Sequence, residues 1–249
     1  MVHLRKLYCV AALVGLVVAQ PALADDKPQA GPTLWSGNLS LGFVQTRGNS
    51  DTSTLNGKAE LGYAGKRWTN AFSAFLLRGS QDGQTTDERY SFADKIDFSL
   101  TPQDYAFGNA GYDHDRFGGV AERNTLTLGY GRHLLATPAH LLDLELGFGA
   151  NRSRNRGENE FDYRSIYTVG GRYRWKISET SELSQTLRTE IASNDIYINP
   201  ITQLKLTIIG QLFTVIAYEF RYNTKVPDGT RHLDQIATVN LGYSFGIKK

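Results

Sequence analysis

Apolar and polar residues alternate with a period of two along most of this chain. From 142 to 148, Leu142, Leu144 and Phe148 fall on one set of positions, and Asp143 and Glu145 fall on the other. Such alternation places apolar side chains on one face of a β-strand and polar side chains on the opposite face. Twelve segments of roughly 10–13 residues show it, so the sequence predicts an all-β protein.

The length of these segments indicates where the strands lie. About 12 residues at ~3.4 Å each, tilted near ~45°, cover about 29 Å, which is close to the thickness of a bilayer core. Strands of soluble proteins usually have only about 5–6 residues. We therefore predict a closed antiparallel transmembrane up-and-down β-barrel of twelve strands, with ten strands as the alternative count. A soluble β-sandwich is the alternative fold.

The connections between the segments alternate between short and long, as in outer-membrane barrels with periplasmic turns and outer loops. The short connections are expected near 64–66, 102–104, 136–139, 178–180 and 209–210, and the others near 47–51, 79–88, 116–121, 152–162, 193–200 and 223–232. If the first strand starts in the periplasm, every short turn lies there, and 47–51 is the only brief outer loop.

Aromatic residues cluster at the predicted strand ends, where rings with polar tips suit the lipid headgroup layer. The expected periplasmic band contains Trp35, Tyr63, Trp68, Tyr105, Trp175 and Phe245, and the outer band contains Tyr90, Phe148, Tyr163, Tyr167 and Tyr222.

Residues 1–24 have the pattern of a secretory signal peptide. Arg5 and Lys6 precede an apolar run, and Ala22 and Ala24 supply the small residues of a cleavage site before Asp25. We therefore predict a cleaved leader over 1–24, a short N-terminal segment over 25–33 and an outer-membrane barrel domain over 34–249.

Removal of the leader changes the composition in two ways. The single cysteine of the chain lies in the leader, so neither disulfides nor thiolate metal sites are expected afterwards. The 27 basic residues of the whole chain include two in the leader, and the remaining 25 equal the 25 acidic residues. This balance argues against a nucleic-acid partner, which usually requires a basic excess.

The polar faces of the predicted strands give the lumen a set of charges of both signs. The set contains Lys58, Glu60, Lys95, Asp97, Asp143, Glu145, Arg172, Arg174, Arg188, Glu190, Lys205, Glu219 and Arg221. A pore selective for one ion sign often has a ring of one charge. Mixed charges can instead pair across the bore, because buried charges need partners. Two interpretations of the lumen charges are therefore left open: an ion-pair network that stabilises the barrel, and a narrow polar channel.

Two further clusters are candidate binding sites. Arg152, Arg154 and Arg156 lie on the expected longest outer loop, where guanidinium groups could contact lipopolysaccharide phosphates. Pairing with the acidic residues at 158, 160 and 162 is the alternative. Asp113, His114 and Asp115 could hold a divalent ion only if the chain bends, because His114 faces away from both carboxylates.

We predict no enzyme, cofactor or metal site. A barrel lipase would need a nucleophile, a base and an orienting residue close together. No G-x-S-x-G motif occurs, and no Ser/His pair is fixed by its spacing. An enzyme acting on lipids remains the third alternative.

Several short motifs together resemble the YdiY-like family of salt-induced outer-membrane proteins, a domain family without established function. They are Trp-Ser-Gly at 35–37, Gly-Asn-Ser at 48–50, Gly-Tyr-Asp-His-Asp-Arg-Phe at 111–117, Val-Pro-Asp-Gly at 226–229 and Leu-Gly-Tyr-Ser-Phe at 241–245. The resemblance spans roughly 34–245. It implies an outer-membrane β-barrel and no catalytic residues.

The end of the chain is similar to an outer-membrane assembly signal. Its elements are Asn240, Gly242, Phe245 and Ile247, although two lysines follow where an aromatic residue usually ends the signal. The expected partners are outer-membrane lipids, lipopolysaccharide and the barrel-assembly machinery, and the barrel is expected to be a monomer. The predicted function is a structural or stress-related envelope role with passage of small solutes. The alternative is a narrow channel.

Overall fold

The computed structural model describes residues 34–46, 51–226, 229 and 231–246, which form one closed antiparallel barrel. Its twelve strands are β1 (Leu34–Thr46), β2 (Thr52–Ala64), β3 (Trp68–Gln81), β4 (Gln84–Ser99), β5 (Asp104–Asp115), β6 (Val120–Ala136), β7 (His140–Asn155), β8 (Asp162–Lys176), β9 (Ser181–Ala192), β10 (Asp195–Ile209), β11 (Leu212–Asn223) and β12 (Leu233–Gly246). Each strand pairs with its neighbours in sequence, and β12 pairs with β1. The prediction of twelve strands is confirmed. The predicted leader and the segment 25–33 lie outside the described residues.

The two ends of the barrel differ in their connections. The turn end has the connections 65–67, 100–103, 137–139, 177–180 and 210–211, together with the start of β1 and the end of β12. The loop end has the other six connections. Within the described residues, no helix is long and apolar enough to cross a membrane.

Two expected outer loops are wrong, because the strands continue through them. The stretch 79–88 belongs to β3 and β4, which are joined by Asp82 and Gly83 alone. Both residues have positive φ, 49° and 78°, as a two-residue hairpin turn requires. The polar residues of this stretch therefore lie in a strand extension and not in a loop.

The stretch 193–200 was also expected to be a loop, but β10 begins at Asp195 and contains Pro200. Proline has no N–H to donate to its neighbouring strand. The register places Pro200 opposite Phe220, and the side-chain amide of Asn199 donates to the Phe220 carbonyl over 2.7 Å. The neighbouring side chain thus replaces the missing donor, which explains why the strand tolerates proline here.

The alternation of exposed and buried residues defines the two faces of the wall. On β7, Leu144, Leu146 and Phe148 are exposed on the outer face, whereas Asp143 and Asn151 are buried on the inner face. Exposed apolar side chains recur around the barrel, as a wall in contact with lipid requires.

Some apolar residues nevertheless point inwards. Phe75 and Leu77 are buried in the lumen and pack against Ile236 of β12. Tyr105 does not belong to the expected periplasmic aromatic band, because its ring is buried on the inner face. Bulky inner side chains help to fill the bore, so the lumen combines apolar clusters with polar ones.

Candidate functional site: the barrel lumen

The two most completely buried large side chains of the described residues are both carboxylates of the lumen. Asp143 of β7 and Glu219 of β11 are each 1% exposed. Burial of a charge is unfavourable unless partners compensate for it. The contacts of these two carboxylates therefore show how the lumen is built.

Asp143 is the centre of a cluster near the turn end. Its Oδ1 lies 2.6 Å from His133 Nδ1, and its Oδ2 accepts hydrogen bonds from Arg172 at 2.5 and 3.1 Å. The His133 ring lies 4.9 Å from the ring of Tyr105. The neighbouring strands β6 and β8 bring these partners to Asp143, because His133 and Arg172 are its register partners.

Lys95 of β4 forms a bridge across the lumen beside this cluster. Its Nζ lies 2.7 Å from Asp97 on its own strand and 2.7 Å from Glu145 of β7. Strands β4 and β7 are not neighbours, since β5 and β6 lie between them. The Tyr105 hydroxyl also donates to Glu145, over 2.7 Å. Lys95, Glu145 and Tyr105 therefore connect three strands through the interior.

A glycine makes this arrangement possible. A Cβ on Gly131 of β6 would lie 2.2 Å from the Tyr105 ring, which is too close for any side chain. Because Gly131 has no side chain, the ring can lie against the wall with its hydroxyl directed at Glu145.

A second cluster surrounds Glu219 nearer the loop end. Its Oε1 accepts hydrogen bonds from Arg221 at 2.7 Å and from Asn199 at 2.8 Å, and its Oε2 has no partner among the described residues. Arg89 of β4 also belongs to this end and contacts Asp113 at 2.7 Å and Asp115 at 3.4 Å.

Another cross-lumen contact lies at the same end. Arg123 of β6 donates to the Asn223 side chain of β11 over 3.1 Å and lies 4.5 Å from the Tyr197 ring of β10. Four strands separate β6 from β11 in the wall, so this contact crosses the bore. Beside it, Glu190 pairs with Arg188 and accepts a hydrogen bond from Asn151 over 3.0 Å.

The remaining charges predicted for the lumen also lie on the inner face. Lys58 and Glu60 of β2 pair at 2.7 Å, and Lys205 donates to Asn38 of β1 at 3.3 Å. Arg174 lies 3.9 Å from Glu182. Each predicted lumen charge that forms an ion pair has a side chain that is 21% exposed or less.

Sequence reasoning missed several members of both clusters. They are Arg89, Tyr105, Asp113, Asp115, Arg123, His133, Tyr197 and Asn199. Arg89 and Arg123 could have been found by extending the period-two pattern towards the loop end, since both lie on the face opposite to the exposed apolar residues of their strands. The period alone assigns no face to Tyr105, because its strand is rich in Gly and Ala.

The other predicted sites occupy different places. Asp113 and Asp115 face Arg89, whereas His114 stacks on Tyr90 on the outer face with ring centroids 4.7 Å apart. Among the described residues no group of three or more His, Cys, Asp and Glu residues could hold a metal ion.

The residues of the assembly signal belong to the last strand. Asn240 of β12 is buried, Gly242 receives the Phe213 ring, and Phe245 is 47% exposed. Ile247 lies outside the described residues. The structure thus places the first three on the strand that closes the barrel, and the signal itself stays a prediction.

The arginines at 152–156 are not all in a loop, because β7 continues to Asn155 and the connection is only 156–161. Arg152 and Arg154 lie on the outer face of β7. Arg154 pairs at 3.3 Å with Glu122 of β6, and Arg156 donates to the Phe117 carbonyl over 2.8 Å. Arg154 and Arg156 therefore contact Glu122 and Phe117, and not the acidic residues at 158, 160 and 162 that were the alternative partners.

The fold and the lumen together define a class of protein. A closed antiparallel barrel with an apolar outer face and a polar interior is the architecture of outer-membrane porins and channels. In this barrel side chains of strands that are not neighbours meet inside the polar interior, as Lys95 and Glu145 do near the turn end and Arg123 and Asn223 do near the loop end.

Comparison with known proteins identifies the family of this chain. The model of a protein family of unknown function, DUF481, matches residues 39–245, and the chain belongs to this family. The chain is 27% identical to the uncharacterized protein YdiY of Escherichia coli K12 over 243 residues, which cover 92% of this chain and 94% of that protein. The resemblance to the YdiY-like family is thus confirmed.

Two solved barrels are similar to this chain at low sequence identity. An outer-membrane channel from Pseudomonas putida F1 is 10% identical with a TM-score of 0.50, and the match covers 90% of this chain and all of that chain. The NanC porin is 12% identical with a TM-score of 0.49, and the match covers 86% of this chain and 98% of that chain. At 10% identity, the match to the Pseudomonas putida channel is informative about the fold alone.

Proposed function

We propose that this protein is a narrow outer-membrane channel that admits small solutes and excludes larger ones. In this account the leader 1–24 directs export, the residues of the assembly signal direct insertion, and the barrel acts as a monomer in the outer membrane. The turn end faces the periplasm, because all five of its connections are short and the longest connections, 156–161 and 224–232, lie at the other end, as the outer loops of bacterial barrels do.

The observation that carries the proposal is the bridge between Lys95 and Glu145. It joins β4 to β7 through the lumen at 2.7 Å, with side-chain exposures of 7% and 12%. An open pore would leave such side chains in contact with bulk water. The bridge therefore divides the bore near the turn end, and only small solutes can pass beside it.

The contact between Arg123 and Asn223 supports a second restriction nearer the loop end. The charges in both clusters are mixed, so neither level has the single sign that favours one class of ion. We therefore expect weak charge selection and strong size selection. A purely structural barrel is the alternative, favoured by the near-complete burial of Asp143 and Glu219.

Solute exchange by proteoliposomes tests the proposal. Purified protein would be reconstituted into liposomes, and the entry of glycerol, a monosaccharide and a trisaccharide would be followed by swelling. We expect glycerol to enter faster than in protein-free liposomes and the trisaccharide to be excluded. Entry of the trisaccharide would indicate an open porin, and exclusion of glycerol would indicate a purely structural barrel; either result would contradict the proposal.

A further inference from the structure

A shallow groove crosses the outer face of the barrel from β5 to β8, near the loop end. Its floor is a row of four register partners on adjacent strands, Ala110, Leu126, Ala150 and Ser165. Three of these side chains are small, whereas Phe148 and Tyr167 in the next row towards the turn end are exposed and large. The hollow has a volume of about 540 Å³.

Arg152 forms the rim of this groove on the side of the loop end. Its guanidinium carbon lies 3.6 Å from the centre of the Phe161 ring and 5.8 Å from that of Tyr163. Stacking of this kind holds a guanidinium group in place while its N–H groups can still donate in the ring plane. Its Nε is buried, and Arg152 forms no hydrogen bond or ion pair with another described residue.

Arg154 adds a second cation on the same outer face, two residues further along β7. It lies 5.2 Å from the same Phe161 ring and pairs with Glu122 at 3.3 Å. Among the carboxylates of the described residues, Glu122 pairs with Arg154, and the Arg152 guanidinium group is left available to a ligand. Arg156 does not contribute, because it is bonded to the Phe117 carbonyl.

We infer that this groove binds lipopolysaccharide from the outer leaflet, with a phosphate on Arg152 and Arg154 and an acyl chain on the row of small side chains. Arginine suits phosphate because its planar fork can donate two parallel hydrogen bonds. The apolar floor lies on the side of the bilayer centre and the cations on the side of the headgroups, which is the order of these parts in the lipid. The inference rests on the proposed outer-membrane location and orientation, and not on conduction.

The test compares the wild-type protein with three single-residue variants in detergent. Binding of fluorescent lipopolysaccharide would be titrated for wild type, Arg152→Gln and Ala150→Leu. Arg132→Gln is the matched control, because Arg132 is an exposed arginine of β6 near the turn end. A heat-dependent shift in electrophoretic mobility would verify that each variant is folded.

We expect Arg152→Gln to weaken binding by about tenfold, as loss of a charged hydrogen bond should. Ala150→Leu should also weaken it by filling the groove, and Arg132→Gln should leave it unchanged. Dephosphorylated lipopolysaccharide and phosphatidylglycerol should compete poorly. Equal binding by Arg152→Gln and wild type, or equal competition by phosphatidylglycerol, would overturn the inference without affecting the solute-exchange result.

Discussion

Asp143 illustrates how single residues hold this barrel together. It is 1% exposed and has cationic or potentially cationic partners on both neighbouring strands, Arg172 and His133. Loss of one member of a buried ion pair removes the compensation that it gives to the other charge, which is strongly destabilising. Asp143 therefore has a larger effect on stability than an exposed carboxylate of the same wall.

Replacement of this carboxylate should measure that effect. We expect Asp143→Asn to lower the free energy of unfolding by roughly 3 kcal/mol, because the Arg172 charge stays buried. Glu88→Gln is the control, since its pair with Arg116 is 38% and 60% exposed and should be worth less than about 1 kcal/mol. Urea unfolding in detergent micelles gives both values, and equal losses would contradict the assignment.

The faces of individual residues could be predicted from the sequence, whereas their partners could not. A strand of regular period fixes which side of the wall Lys95 and Glu145 occupy. Their meeting depends on the stagger of four strands and on the path of the Tyr105 ring across Gly131. No local pattern in the sequence determines which charges meet, so the lumen charges could be predicted but their partners could not.

At the scale of elements, the hairpin of β3 and β4 shows why strand ends were harder to predict than strand centres. Beyond the lipid a strand needs no apolar face, so its polar extension has the composition of a loop. The two-residue turn at Asp82 and Gly83 was missed for this reason, whereas the start of β10 at Asp195 was hidden by Pro200, a residue that is unusual within a strand. Within the bilayer the apolar face is obligatory, and there the alternation predicted all twelve strands.

The tight turn gives a prediction about stability. Gly83 has φ of 78°, and a Cβ there would meet no other atom within 4 Å, so backbone strain alone opposes a side chain. We expect Gly83→Ala to cost about 1 kcal/mol of unfolding free energy. Gly111→Ala is the control, because that position is equally open and its φ lies outside the left-handed region. If the two variants were equally stable, the turn geometry would be wrong.

At the scale of the whole molecule, the barrel combines a lipid-facing outer wall with an interior crossed near both ends. Lys95 reaches β7 near the turn end, and Arg123 reaches β11 near the loop end. Each crossing joins strands that do not pair in the sheet. These contacts therefore brace the cross-section, and in the proposed channel they also restrict the bore.

The loop-end crossing should restrict the passage of solutes jointly with the turn-end bridge. Arg123→Ala removes the contact with Asn223 and the stacking on Tyr197, and it leaves the wall unchanged. We expect the largest sugar that enters proteoliposomes to increase in size only when this change is combined with Lys95→Ala, because two restrictions in series must both be removed. An increase with Arg123→Ala alone would show that the turn-end bridge does not restrict the bore.

Single-channel conductance in planar bilayers tests the central claim most directly. Wild type, Lys95→Ala and Lys58→Ala would be compared, since Lys58 is also a lumen lysine but pairs with Glu60 on its own strand and crosses nothing. We expect small steps for wild type and Lys58→Ala and larger steps for Lys95→Ala, with the increase limited by the Arg123 restriction that stays in series. Equal steps for Lys95→Ala and wild type would show that the bridge to Glu145 does not limit the bore.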